Sequence, residues 1–96
     1  SPTVTLTEAT KQVRLLVNLP DNEYSTYRAS LQTAAGTQVI GALTVKPIQH
    51  GTRANLIVPV STRQLAPGEY VLKISGVNPD VELDDLSKSP FRVVKK

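Results

Sequence analysis

Apolar and polar residues alternate with a period of two along most of the chain. Val13, Leu15, Val17 and Leu19 interleave with Arg14, Leu16 and Asn18. Tyr27, Ala29, Leu31 and Thr33 interleave with Arg28, Ser30 and Gln32. The same zigzag recurs in Ala54, Leu56, Val58 and Val60, and again in Tyr70, Leu72 and Ile74. Successive strand side chains point to opposite faces, so each run can supply one buried row. Residues 4–6, 39–45 and 91–94 are shorter β-rich stretches.

Turn formers separate the runs. They include Pro20-Asp21-Asn22, Ala35-Gly36-Thr37, Pro47 to Thr52 with Gly51, Pro67-Gly68 and Asn78-Pro79-Asp80. Ser61-Thr62-Arg63-Gln64 has a capping-box pattern, but Pro67 and Gly68 follow at once, so a single helical turn is expected. Residues 77–90 admit two readings. They form a long loop, or a tight turn at Asn78-Pro79-Asp80 opens one strand, carrying Val81, Leu83, Phe91 and Val93, that breaks near Ser89-Pro90. Pro90 has no N–H for a ladder, which suits a bulge or an edge and favours the second reading.

The pattern predicts an all-β, seven-strand antiparallel β-sandwich of immunoglobulin-like topology, with residues 1–96 as one domain. Its expected core is Val13, Leu15, Val17, Tyr27, Ala29, Leu31, Leu56, Val58, Leu65, Tyr70, Leu72, Ile74, Phe91 and Val93. A chain of 96 residues fits one modest core and not two.

Composition narrows the chemistry. The chain has no cysteine, so it offers no disulfide, thiolate ligand or cysteine nucleophile. A single His excludes a multi-histidine metal centre. Eleven Lys and Arg against eight Asp and Glu give +3, and the basic residues are scattered. A nucleic-acid partner needs a basic stripe with stacking aromatics, so none is expected. No apolar run approaches the roughly 18–20 residues of a membrane span, so no membrane insertion is expected.

His50, between Gln49 and Gly51, has no acidic neighbour in sequence and reads as a solvent-facing loop residue rather than a catalytic base. The five glycines are isolated and form no phosphate-cradling loop; turn or packing roles are expected for them. The acidic residues are uneven. Asp21 and Glu23 lie after the second strand, and Asp80, Glu82, Asp84 and Asp85 lie between the last two. Those connections meet at one end of an immunoglobulin-like sandwich, so an acidic end is expected. Tyr24 belongs to the same end and either packs half-buried over it or presents its ring to a partner.

Leu65-Ala66-Pro67-Gly68-Glu69-Tyr70 resembles the tyrosine corner of immunoglobulin-like and fibronectin type III sandwiches. A broader resemblance covers residues 12–95. Val13 to Pro20, Tyr27-Arg28-Ala29-Ser30-Leu31-Gln32-Thr33, Leu65 to Tyr70, Val71-Leu72-Lys73-Ile74-Ser75-Gly76 and Phe91-Arg92-Val93-Val94 carry it. Together they resemble the C-terminal extracytoplasmic domains of bacterial anti-sigma-factor-like membrane proteins, in which a zinc-finger domain and a membrane helix come first. The resemblance implies a location outside the cytoplasm, in the periplasm or cell envelope, and a place within a longer protein.

The expected function is a non-catalytic interaction or spacer module of such an envelope protein. No cofactor is expected, and the partner is a protein or another domain of the same chain. The candidate partner-binding end is Asp21, Glu23, Tyr24, Asp80, Glu82, Asp84 and Asp85. The alternative is a ligand-binding module taking calcium or a glycan through these acidic end loops.

Overall fold

The computed structural model describes residues 2–19, 24–51, 53–78, 80 and 83–96, the side chain of His50 excepted. The chain forms two β-sheets packed face to face. In chain order the strands are β1 (Thr3–Leu6), β2 (Gln12–Leu19), β3 (Tyr27–Thr33), β4 (Gln38–Val45), β5 (Ile48–His50), β6 (Arg53–Ser61), β7 (Gly68–Val77) and β8 (Leu83–Lys95). The large sheet runs β1-β8-β7-β3-β4 and the small sheet β2-β6-β5. The all-β sandwich read from the sequence is therefore the fold.

Three details depart from expectation. The described residues hold eight strands, because Ile48-Gln49-His50 forms a short strand inside the stretch read as a turn. Gly51, at φ +64°, turns the chain from β5 towards β6. The pair β1–β8 is parallel, with Thr3 opposite Arg92 and Leu6 opposite Lys95. Finally, residues 83–95 are one continuous strand. Its irregularity lies at Leu86, skipped between Asp85 and Ser87 in the pairing with β7, and not near Pro90.

Pro90 fits the strand for a reason visible in the ladder. The Arg92 N–H donates to the Pro2 carbonyl on the β1 side, at 2.8 Å. Two residues earlier the backbone nitrogen points the same way, past the start of β1, so a missing N–H there costs no ladder bond.

The inward rows close one core. Tyr27, Leu31, Leu56, Leu65, Ile74 and Val58 are its largest fully buried side chains. Leu6, Leu19, Val45, Ala54 and Val60 join it beyond the expected set. Val13, Leu15 and Val17, expected in the core, are only partly buried against it. Among the described residues their strand, β2, is an edge with one neighbour, so water reaches the row from the open side. Beyond the core, Leu16 is 63% exposed on the outer face of β2.

The tyrosine corner is present. The Tyr70 hydroxyl donates to the Ala66 carbonyl at 2.6 Å, and its ring stacks on Phe91 with centroids 5.7 Å apart. The expected helical turn is a 3-10 helix over Thr62–Gln64, capped by Ser61 Oγ, which accepts from the Arg63 N–H.

Candidate interaction end

The sandwich end that carries the β2–β3 and β7–β8 connections is organised by Tyr24. Gly76 lies opposite Tyr27 on one side and Asp84 on the other, in the inward row of the large sheet. Lacking a side chain, it leaves a gap in that row, and the Tyr24 ring fills it. A methyl group on Gly76 would come 2.5 Å from Tyr24 Cδ2 and 2.6 Å from Cε2 and Cγ, closer than real contacts allow. The ring also meets Tyr27 edge-on, with centroids 5.6 Å apart and planes at 72°. The Tyr24 hydroxyl donates to Asp84 Oδ2 at 2.8 Å, and the Tyr24 N–H donates to the Tyr27 hydroxyl at 3.4 Å. Tyr24 is half-buried, the packed alternative of the two left open by the sequence.

Of the seven residues expected at this end, Asp21, Glu23 and Glu82 lie outside the described residues. Tyr24 and Asp84 are brought together across 60 positions of sequence. Asp80 is exposed, and its N–H donates to Asn78 Oδ1 at 3.0 Å within the turn. Asp85 is Asp84's strand neighbour and so faces the other side of the sheet. There it lies opposite Ser75, whose hydroxyl donates to Asp85 Oδ1 at 3.3 Å. The two described strand carboxylates therefore diverge instead of converging on one point. Among the described residues no group of three or more His, Cys, Asp or Glu is placed to hold a metal ion.

Other charges sharpen the picture. Lys46 follows edge strand β4, at the same end but on the opposite flank, whereas Arg53 opens β6, the middle strand of the small sheet, beside Leu19 at the end of β2. Lys11, Arg63, Lys95 and Lys96 gather with Glu8 at the far end, around the β1–β2 link and the 3-10 turn. The backbone of His50 lies in β5 opposite Arg53, which corrects its expected place in a loop.

The Tyr24–Gly76 contact joins residues far apart in sequence and leaves little local trace. The only local signal was a glycine ending an alternating run with a tyrosine on the facing connection.

No family model matches the chain, and no curated protein matches it. Among solved structures, the crystal structure of CopC from Methylosinus trichosporium OB3b is similar over 99% of this chain and 86% of that one. The identity is 20% and the TM-score 0.48, a likeness that carries no inference about what this chain binds. Among the described residues no helix is long and apolar enough to cross a membrane.

Proposed function

We propose that this domain is a non-catalytic interaction or spacer module that offers its acidic end to a basic segment of a protein or of another domain. The observation that carries this reading is the seating of Tyr24. One ring plugs the gap over Gly76, ties the end of the β2–β3 connection to β8 through Asp84, and leaves Asp80 and Asp85 facing water. Such a fastening orders a binding end before the partner arrives, which lowers the entropy cost of association. The divergent carboxylates suit an extended cationic chain better than a single bound ion. A place in the bacterial envelope, within an anti-sigma-factor-like protein, follows from the sequence resemblance and belongs to the same proposal.

The test is the fluorescence anisotropy of a labelled octalysine peptide titrated with the protein at low and high salt. Binding should weaken with salt, as expected for exposed charges. The triple variant Asp80→Asn, Asp84→Asn, Asp85→Asn removes three charges worth about 0.2–1 kcal/mol each, so affinity should fall roughly tenfold. Equal affinity for the variant would reject the acidic end as the binding surface.

A further inference from the structure

Open sheet edges expose unpaired backbone groups, and folded proteins usually guard them. Among the described residues of this sandwich all but one are guarded. β1 and β5 are four and three residues long. β4 has register irregularities against β3 and carries Gly41. The stretch of β8 not covered by β1 contains the Leu86 bulge, Asp84, Asp85, Lys88 and Pro90. β2 is different. It is eight residues long, pairs with β6 in unbroken register, and contains no Pro, Gly or Lys. Among the described residues no strand pairs with its other side.

The directions of its free groups can be read off the ladder. The Thr62 N–H donates to the Lys11 carbonyl at 3.1 Å, extending the β2–β6 pairing by one step. Odd-numbered residues therefore turn their backbone groups towards β6. Gln12, Arg14, Leu16 and Asn18 present N–H and C=O to the open side. Leu16 also places its side chain on the outer face, where its 63% exposure is the largest among the exposed large hydrophobics.

We infer that β2 is a dimerisation edge, occupied by β2 of a second copy of this chain in antiparallel pairing about a two-fold axis at Leu16. The occupant follows from self-complementarity. The axis stands perpendicular to the sheet, so both inner faces stay on one side and residue numbers in each pair sum to an even value. With Leu16 on the axis, Leu16 meets Leu16 of the second copy, Arg14 meets Asn18, Leu15 meets Val17 and Val13 meets Leu19. The outward-pointing backbone groups of Leu16, Arg14 and Asn18 are then all bonded, two bonds to each pair. An axis at Arg14 would oppose two like charges, and an axis at Leu15 would set Arg14 against Leu16.

The large sheet fits the same operation. β1 reaches β2 through the short 7–11 link, so the two edges share a flank. β1 covers only Arg92 to Lys95 of β8. A half-turn about the axis brings β1 of one copy opposite the uncovered part of β8 of the other. The interface is isologous and closes at the dimer.

Sedimentation equilibrium should show a reversible monomer–dimer equilibrium that stops at two. Leu16→Lys, an exposed position whose folding is checked by circular dichroism, should weaken it at least tenfold. Because the chain lacks cysteine, a single Leu16→Cys gives a clean register test. Across a hydrogen-bonded pair the two Cα atoms would be about 5.5 Å apart, within disulfide range. Arg14→Cys would be about 13 Å from its own copy along the strand and should not cross-link. A protein monomeric at millimolar concentration, growth beyond the dimer, or cross-linking of Arg14→Cys as fast as Leu16→Cys would each overturn the proposal. A monomeric protein would leave the edge to an extended segment of another chain.

Discussion

Replacing Gly76 with alanine tests how Tyr24 fastens its connection to β8. The added methyl would lie 2.5–2.6 Å from three atoms of the Tyr24 ring, including Cγ at the ring's root. A flexing tip cannot relieve that overlap, so the ring has to leave. Displacing a half-buried tyrosine exposes on the order of 80 Å², about 2 kcal/mol of apolar burial. Loss of the edge-on contact with Tyr27 and the exposed bond to Asp84 adds roughly 1 kcal/mol. Alanine restricts the unfolded chain more than glycine and returns about 0.5–1 kcal/mol. The net cost is about 2 kcal/mol, which for a domain of this size lowers Tm by about 8–16 °C. Urea unfolding followed by circular dichroism measures it. The decisive variant is the double one. With Tyr24→Ala already made, the methyl has room, and Gly76→Ala should become neutral or slightly stabilising. An equal cost of Gly76→Ala with and without the Tyr24 ring would show that the ring is not what occupies that space.

Other expectations follow from single contacts. Tyr70→Phe should lose about 1 kcal/mol or more in urea unfolding, because the Ala66 carbonyl loses its donor at the corner. Leu31→Ala, at a fully buried position between β4 and β7, should cost about 2–5 kcal/mol by the same assay. Arg92→Ala removes an ion pair with Glu69 whose side chains are 59% and 54% exposed, so any loss should stay near 0.5 kcal/mol or below. Millimolar calcium should leave Tm unchanged, since the Asp84 and Asp85 carboxylates face opposite sides of β8. A rise of several degrees would revive the calcium reading.

What the sequence revealed and what it hid have separate physical causes. Strands β3, β6 and β7 were legible because each lies under the opposite sheet, so alternation in sequence becomes alternation in burial. The row Val13, Leu15 and Val17 alternates just as well, yet it is half-buried because edge position depends on strand order and not on local pattern. β5 was hidden because three residues between Pro47 and Gly51 are too few to show a period. The polar stretch of β8 left loop and strand both open for a related reason, although the favoured strand is the one that forms. Residues 83–90 pair with β7 but are exposed throughout, so no apolar row marks them. At the candidate end, the uneven spacing of acidic residues along the chain was visible in the sequence. The meeting of Tyr24 with Gly76 and Asp84 was not, because it joins residues 52 and 60 positions apart. The tyrosine corner, spanning four positions, was readable because it is local.

The proposed role of the acidic end is tested most directly by where a cationic chain touches the protein. Unlabelled octalysine titrated into isotopically labelled protein, followed by amide chemical shifts, gives that footprint residue by residue. The largest shifts should fall on Tyr24, Asp80, Asp84 and Asp85 and fade as salt is added, while Lys11, Arg63 and Lys95 stay still. Shifts centred instead on β2, or spread evenly over the surface, would contradict it.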